Sequence, residues 1–396
     1  MDFELSPEDA AFRDEVRSWL ADHREQIAAV RRHRWEDGGD SFEMYRVWER
    51  TLFEAGLGAV HWPKTYGGRD ATLAQQAILT DEYIRADGPE RINRLGLGLL
   101  GPTLMVYGTE EQRAAHLAPI LRCDEIWCQG FSEPDAGSDL ASLRTRGVRD
   151  GDDYVINGQK IWTSLGRFGD WIFCLVRTDT EVPKHKGITF ILIDMHSAGV
   201  EVRPLVQING EKRFAEVFFT DVHVPVSNVV GEVNDGWRVA MTTLGFERGT
   251  GLGSPAAFNR LLDQVIDLSR RQPRYDGVAA DDPDVRRRVA QAYIDTRVFE
   301  LNVQRTLTQL SKGAELGSEA SLTKLYWSEM ETRIEELAVD VLGPRGELAP
   351  SAPEAVRDGE WFNEYLYARA SMIYAGTSEV QKNIIAQRVL GLPRES

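Results

Sequence analysis

Glu247 and Arg248 form a charged pair in a segment that otherwise reads as a packed helix. If residues 237–254 are helical, the positions three, four and seven residues from Glu247 carry mostly small side chains. A carboxylate on such a face can project into a cavity, where the loss of hydration raises its pKa toward that of a general base. The alternative is a Glu that pairs with a neighbouring Arg on a solvated face, and this stretch alone favours that alternative.

Two polar stretches in the middle of the chain suit a planar heteroaromatic ligand. Residues 129–139 form a loop with hydroxyls at Ser132 and Ser138, and residues 157–164 end in an aromatic residue followed by two hydroxyls. An aromatic plane beside hydroxyl donors suits a ring that needs stacking and edge hydrogen bonds. A core Trp near an ordinary loop is the alternative, and either stretch alone leaves the two interpretations about equal.

Several other catalytic schemes can be excluded. The sequence has no Gly-x-Ser-x-Gly nucleophile elbow and no Gly-Lys-Ser/Thr phosphate loop, and its histidines are not spaced as metal ligands with Cys123 and Cys128. We therefore expect no metal. The stretch from Gly96 to Gly101 matches the Gly-x-Gly-x-x-Gly fingerprint, but no alternating strand and helix pattern surrounds it. A dinucleotide, if bound, is not expected to be held by a Rossmann fold.

The composition is that of an acidic protein of a reducing compartment. Lys and Arg total 46 against 62 Asp and Glu, and the net charge of -16 argues against nonspecific binding to nucleic acid or an anionic membrane. The three cysteines form no disulfide framework, and the N-terminal residues lack a signal-peptide pattern. The longest apolar run, Ile188–Ile193, is too short to span a bilayer. We expect a cytoplasmic protein in which any anionic ligand meets a local site.

The spacing of apolar residues changes twice along the chain, which defines the elements that position the polar stretches. Residues 1–125 read as helices, residues 126–235 as short alternating strands, and residues 236–396 as long helical runs. Asn157-Gly158, between two alternating segments, predicts a hairpin turn. The predicted fold is therefore mainly α with a middle β domain, in the order N-terminal α-helical domain, β domain and C-terminal helical bundle. The helical runs of the last part are predicted at about 237–271, 284–312, 318–342 and 358–390.

Three motifs together make the chain resemble an acyl-CoA dehydrogenase, a member of an FAD flavoprotein family. They are Ser-Glu-Pro-x-Ala-Gly-Ser-Asp at 132–139, Asn-Gly-x-Lys-x-Trp at 157–162, and Tyr-Ala-Gly-Thr-Ser-Glu at 374–379 leading to Arg-Val-Leu-Gly at 388–391. The likeness extends from the first helix to the last. It implies an N-terminal helical domain, a middle β barrel and a C-terminal four-helix bundle, in the order read from the periodicity.

The resemblance also implies where the cofactor and substrate bind. Trp162 would lie against the flavin ring, Ser132 would bond its pyrimidine side with help from the nearby backbone, and Ser164 would lie at N5, where the family more often has Thr. The other residues implied to contact FAD are Gln129, Thr377 and Glu379, and those implied to contact the acyl-CoA are Ser138, Arg248 and Gly376.

The chief departure from the family pattern is Ala375. The family removes the α-proton of an acyl thioester while a hydride leaves the β-carbon for flavin N5, which yields a trans-2-enoyl-CoA. The residue before Gly-Thr-Ser gives a backbone N–H to the thioester oxygen and is in most members the catalytic Glu. Alanine keeps the donor and lacks the base. A minority of members, including isovaleryl-CoA dehydrogenases, take the base from the first helix of the C-terminal domain, directly before an Arg, and Glu247 matches that position.

Other departures bear on the oligomer. Family members usually contribute Arg-x-x-Phe-Gly, a Gln and Gln-x-x-Gly-Gly to the FAD of a neighbouring subunit, whereas this chain has Asp276, Asp284 and Asp340 in those regions. Acidic groups near a pyrophosphate are unfavourable unless a cation intervenes, and Arg271 and Arg274 are candidates for that role, as is Arg345. The alternative is that a different subunit supplies this half of the site, as the resemblance to bacterial relatives that form two-plus-two hetero-oligomers implies, so a homotetramer and a two-plus-two hetero-oligomer both stay open.

The resemblance leaves three functions open. The leading one is FAD-dependent acyl-CoA dehydrogenation of the β-oxidation type, with electrons passed to an electron-transferring flavoprotein. The alternatives are a noncatalytic or partly catalytic subunit of a hetero-oligomer, and an acyl-CoA oxidase. Gly249, Gly251 and Gly253 suggest a wide cavity for branched, cyclic or bulky acyl chains, with close helix packing as the alternative.

Overall fold

The computed structural model describes residues 5–250, 254–314, 317–348 and 352–393, and the side chains of 247–250 lie outside the description. The helices are α1 Pro7–Asp22, α2 Arg24–Val30, α3 Gly39–Glu54, α4 Leu73–Arg85, α5 Gly101–Tyr107, α6 Glu110–Arg122, α7 Gly236–Thr250, α8 Pro255–Arg271, α9 Pro283–Ser311, α10 Ala320–Leu342, α11 Glu360–Ser371 and α12 Ser378–Ile384. The strands are β1 Trp127–Gly130, β2 Arg146–Asp150, β3 Asp153–Ser164, β4 Trp171–Arg177, β5 Ile188–Asp194, β6 Val200–Leu205, β7 Phe214–Pro225, β8 Pro273–Arg274 and β9 Gly277–Val278. This order confirms the predicted mainly α fold with a middle β domain. In the described part of the chain, no helix has the length and apolar character that crossing a membrane requires.

The contacts divide the chain into two compact units. The helical unit contains residues 1–22, 72–88 and 251–396, and the sheet unit contains residues 23–71 and 89–250. Neither unit coincides with one of the three predicted domains, so the boundaries at 125/126 and 235/236 stay a prediction.

One seven-stranded sheet forms the centre of the sheet unit. Its order is β1-β4-β2-β3-β7-β6, and β5 pairs with the other side of β4. Residues Ile172–Arg177 of β4 and Ile188–Ile193 of β5 are all buried, as expected of strands that are covered on both faces. The sheet is therefore a rigid base for the longer strands β3 and β7.

The predicted hairpin turn at Asn157-Gly158 is wrong, because β3 runs through it without a turn. The strand's partner β7 instead shifts register there, and the Asn157 side chain exchanges two hydrogen bonds of 2.9 Å with Asp221. A Cβ on Gly158 would lie 2.6 Å from the Cα of Thr145, so glycine is needed at this position for a close approach of two backbone segments. The tight turn lies at Gly151, between β2 and β3.

Helix α7 is held in the sheet unit by two hydroxyl pairs. Thr243 and Thr103 are fully buried and their Oγ1 atoms lie 2.9 Å apart, and the Tyr107 hydroxyl lies 2.9 Å from Thr242 Oγ1. Both pairs join α7 to α5. A π-helix, Gly96–Leu100, leads into α5, and a Cβ on Gly101 would lie 2.1 Å from the Trp62 ring. Gly96 and Gly101 of the fingerprint match thus belong to a helical segment whose close packing leaves no room for a Cβ.

Helices α8, α9, α10 and α11 pack around one apolar core in the helical unit. The predicted run 237–271 is two helices, because Ser254 and Pro255 start a new one. The predicted run 358–390 is also interrupted, between α11 and α12, because Ala375 and Gly376 adopt positive φ angles of 51° and 89°.

Candidate active site

Trp162 is presented by a bulge at the end of β3. The pairing of β3 with β7 shifts register between Lys160 and Thr163, and Trp162 has a φ of 60°. Its indole is 52% exposed and meets the Phe214 ring edge-on at 5.8 Å. A bulge can re-aim a side chain, and positive φ at a bulky residue is uncommon outside functional or strained positions. The bulge therefore keeps a large aromatic plane open at the sheet surface.

The two polar stretches predicted from the sequence are joined in the sheet unit. Ile161 N donates to the Ser132 carbonyl at 3.0 Å, so the 131–139 loop lies beside the end of β3. Ser164, two residues beyond Trp162, pairs with Phe214 of β7. Ser132 and Ser164 are both partly exposed. The structure thus brings Ser132, Trp162 and Ser164 onto one connected piece of the sheet unit.

A buried ion pair that the sequence reasoning missed supports this piece. Lys160 Nζ is fully buried and donates to Glu133 Oε1 at 2.8 Å and to the Phe131 carbonyl at 3.1 Å. Glu133 also accepts from the backbone N–H groups of Arg144 and Thr145. Burial acts to raise the pKa of Glu133, but the charge and hydrogen bond of Lys160 outweigh it and lower that pKa. Both residues belong to the quoted motifs, which is the signal that could have found them.

Gln129 and Ser138 lie at the two ends of the polar loop region. Gln129 is on β1, which pairs in parallel with β4, and its side chain is partly exposed. Ser138 is exposed, and the next residue, Asp139, pairs with Lys184 Nζ at 2.7 Å. Their predicted contacts with FAD and with the CoA moiety remain predictions.

Ala375 lies in the turn between α11 and α12 of the helical unit. Gln381 Nε2 donates to the Ala375 carbonyl at 2.8 Å and to the Gly376 carbonyl at 3.4 Å, which holds the turn. Within the described residues the Ala375 N–H has no acceptor, and the residue is exposed. The predicted backbone donor is therefore available in this turn.

The residues after the turn begin α12. Thr377 caps the helix, since its Oγ1 accepts from Val380 N at 3.2 Å. Hydrogen bonds from its own backbone N–H and from the Thr377 hydroxyl lower the pKa of the exposed Glu379. Ser378 Oγ is buried and has no hydrogen-bond partner within the described residues.

Two charged residues of α10 hold the end of α11, and the sequence reasoning did not identify either. Lys324 Nζ donates to the Ser371 carbonyl at 2.9 Å, and the Ser371 hydroxyl bonds to the Glu331 carboxylate. The same hydroxyl lies 3.2 Å from the Tyr374 hydroxyl. Burial raises the pKa of Glu331 and lowers the pKa of Lys324. The sequence signal that could have pointed to them is a Lys and a Glu within an otherwise apolar helical pattern.

The predicted base lies on α7, whose backbone is helical through Thr250. The side chains of Glu247 and Arg248 lie outside the described residues, so their orientation and their roles remain predictions. Gly249 shares that helix, and Gly251 and Gly253 also lie outside the description.

Arg271 and Arg274 each have an acidic partner in the helical unit. Arg271 pairs with Asp267 at 2.6 Å, and Arg274 pairs with Asp282 at 2.8 Å. Arg274 also donates to the Asp340 carbonyl at 3.2 Å. The aspartate side chain of residue 340 pairs with Arg288. A phosphate at either predicted arginine would have to compete with a carboxylate already in place.

Comparison with known proteins identifies the family. Family models match in sequence order: the acyl-CoA dehydrogenase N-terminal domain at residues 6–124, the middle domain at 128–222 and the C-terminal domain at 234–390. The chain belongs to the acyl-CoA dehydrogenase family, whose members are FAD flavoproteins, and it is an oxidoreductase of that family.

Individual relatives match over nearly the whole chain. Acyl-CoA dehydrogenase IpdE1 of Mycobacterium tuberculosis is 42% identical over 388 residues, 97% of this chain and 98% of that protein. The solved structure of the Tcur3481-Tcur3483 steroid ACAD superposes with a TM-score of 0.86 at 32% identity and full coverage of both chains. The ChsE4-ChsE5 complex of Mycobacterium tuberculosis gives a TM-score of 0.85, also at 32% identity and full coverage.

The described residues fit FAD. The half-exposed plane of Trp162 suits stacking against an isoalloxazine ring, and the Ser132 and Ser164 hydroxyls lie on the same piece of the sheet unit. In the part of the helical unit that the structure describes, the buried Ser378 Oγ has no hydrogen-bond partner, and it lies next to the predicted FAD contacts Thr377 and Glu379. An orphaned buried hydroxyl is costly unless a ligand or water bonds it.

Proposed function

We propose that the chain catalyses the α,β-dehydrogenation of an acyl-CoA thioester to a trans-2-enoyl-CoA, with Glu247 as the base. One observation carries the proposal: within the described residues the Ala375 backbone N–H has no acceptor, and the alanine side chain offers no carboxylate. The family chemistry needs both a donor and a base, so the base must come from another residue. Glu247, directly before Arg248, matches the alternative position of the family.

Each residue then has one task. The Ala375 N–H, beside Gly376, stabilises negative charge on the thioester oxygen, and Glu247 removes the α-proton. FAD, when bound, supplies the acceptor for the hydride from the β-carbon. Trp162 stacks on the ring, Ser164 donates its hydroxyl near N5, and the electrons pass on to an electron-transferring flavoprotein in the cytoplasm.

We propose a bulky, polycyclic acyl group. The solved relative titled a steroid ACAD supports this class. Among the described residues of the sheet unit, and apart from the helix's own backbone, a Cβ added to Gly98 or Gly245 would meet no atom within 4 Å, so there is room beside the π-helix and beside α7. Gly249 follows on the same helix.

In a panel of acyl-CoAs, we expect the ring-bearing thioesters to have a kcat/KM at least about tenfold above straight chains, because a wide cavity leaves a narrow chain poorly packed. Steady-state kinetics with a dye acceptor measures the ratio. A panel in which straight medium chains exceed every bulky substrate contradicts the proposed acyl class and leaves the reaction type untouched.

We further propose a two-plus-two hetero-oligomer. The predicted pyrophosphate contacts Arg271 and Arg274 are already paired with Asp267 and Asp282, so this chain is poorly suited to complete the FAD site of a second copy. A solved relative is titled as a complex of two named proteins, which supports the same arrangement. A noncatalytic supporting subunit is the second candidate, favoured by the missing carboxylate at Ala375.

Expressed alone, the chain is expected to contain clearly less than one FAD per chain, because half of each cofactor site would be missing. Flavin absorbance against protein concentration and native mass spectrometry measure this. A homotetramer with one FAD per chain contradicts the hetero-oligomer. Full flavin reduction by an acyl-CoA in an oligomer of this chain alone would exclude the noncatalytic role, and rapid reaction of the reduced protein with oxygen would indicate an oxidase.

A further inference from the structure

A small cavity of the sheet unit is lined by three arginines and no acidic residue. Its volume is about 180 Å³, and Arg146, Arg149 and Arg177 line it together with Tyr154, Thr178 and Thr180. This concentration of positive charge is unusual in a chain with a net charge of -16. A cavity of this size has room for several waters or for one small anion.

None of the three arginines forms an ion pair within the described residues. The Arg146 side chain has no hydrogen-bond partner there, and the Arg149 side chain donates only to the Gly151 carbonyl, at 3.2 Å. Most other arginines of the sheet unit have a carboxylate partner; Arg203, for example, pairs with Glu201 at 2.8 Å. Like charges that share a cavity repel one another, and an anion in the cavity would remove that repulsion.

Arg177 is fixed in place by backbone carbonyls. Its side chain is buried and donates to the carbonyls of Ala141, Leu143 and Lys184. Burial lowers the pKa of Arg177, and the negative charge of Glu133 offsets part of that effect. The Arg177 guanidinium is therefore held beside the cavity by carbonyl groups, which carry no full negative charge.

The strand arrangement leaves the cavity open to a ligand. Strands β2 and β4 pair only at Arg146 and Arg177, so the edge of β2 from Gly147 onward is not paired with β4. Two nearby carboxylates already have partners: Asp179 accepts from the backbone N–H of Glu181, and Glu181 accepts from the hydroxyl of Thr180, which lines the cavity. Arg146 and Arg149 are both exposed, so an entering anion can reach their guanidinium groups.

We propose that this cavity is a binding site for a phosphate group, with Arg146 and Arg149 as its principal ligands. Guanidinium groups suit phosphate because they give several charge-assisted hydrogen bonds in a fixed geometry. Two sources share this chemistry, the 3′-phosphate of CoA and a free phosphate anion. The CoA source rests on the proposed function, and it is supported by Arg177, which holds Ala141 and Leu143 at the end of the loop that carries Ser138.

Calorimetric titration of the full chain, kept in excess FAD, with CoA, 3′-dephospho-CoA and inorganic phosphate tests the site. The proteins are the wild type, R146Q/R149Q, and R122Q/R203Q as a control that removes two exposed, carboxylate-paired arginines elsewhere. We expect CoA to bind the wild type and the control about 10- to 100-fold more tightly than dephospho-CoA, and the ratio to fall to about one in R146Q/R149Q.

The other outcomes distinguish CoA from free phosphate as the ligand, and they distinguish failure of the phosphate site from failure of the proposed acyl-CoA function. Equal binding of CoA and dephospho-CoA, with inorganic phosphate bound by the wild type and lost in R146Q/R149Q, supports the site and rejects CoA as its source. Phosphate binding without any CoA binding contradicts the proposed function and leaves the site standing. If all three proteins bind every probe equally, or none binds phosphate in any form, the site is rejected.

Discussion

Replacing Glu247 by Gln is expected to lower kcat with an acyl-CoA by about 10²- to 10⁴-fold, the usual contribution of a positioned general base. The amide cannot accept the α-proton, and Ala375 offers no carboxylate in its place. FAD should remain bound, because its predicted contacts are other residues. Steady-state kinetics and the ratio of flavin to protein measure the two effects.

Glu232→Gln is the matched control, since it removes an exposed carboxylate that precedes α7 and has no proposed role. We expect its kcat to stay within about twofold of the wild type. A Glu247→Gln protein with wild-type kcat would contradict the assignment of Glu247 as the base. Loss of FAD from that variant would instead indicate a structural role for Glu247.

Replacing Lys160 by Met is expected to lower the free energy of unfolding by about 3–5 kcal/mol, the typical cost of leaving one partner of a buried ion pair alone. Glu133 would keep its backbone donors and lose the buried ammonium that balances its charge. Urea unfolding of the apoprotein, followed by circular dichroism, measures the change. FAD affinity should fall as well, because the pair supports the loop of Ser132 and the strand of Trp162.

Two comparisons separate the ion pair from simple packing. The double variant K160M/E133Q should recover much of the loss, since it leaves no buried charge unpaired. The stabilisation should also depend on pH. The folded pKa of Glu133 lies below its ordinary value of 4.5, so the pair's contribution is present above that value and is lost as the pH falls through the folded pKa. A difference between wild type and K160M that is unchanged down to pH 3 would contradict the electrostatic account.

The order of the elements could be predicted because apolar periodicity is local. The motifs around Ser132 and Trp162 also predicted residues that the structure brings together. The Asn157-Gly158 hairpin failed for a nonlocal reason: Thr145 and Asp221, far apart in the sequence, fix a bulge where the dipeptide alone predicts a turn. Turn propensity does not record such tertiary contacts.

The residues that hold the candidate site in place were harder to predict than the residues expected to contact FAD or the substrate. Lys324 holds Ser371 across 47 positions of the sequence, and no spacing rule connects the two. The positive φ at Ala375 is likewise invisible in an alanine, which rarely adopts it. Gln381, which holds that turn through two carbonyls, is six residues away and looks like an ordinary helix residue.

The central proposal is that Glu247 supplies the base that Ala375 lacks, and anaerobic mixing with an acyl-CoA that reduces the wild-type flavin tests it most directly. The proteins are the wild type, Glu247→Gln, and the double variant E247Q/A375E, which restores a carboxylate at the family's usual position. We predict rapid loss of flavin absorbance in the wild type, none on the same timescale in Glu247→Gln, and partial recovery in the double variant. Complete reduction in Glu247→Gln at the wild-type rate would contradict the proposal.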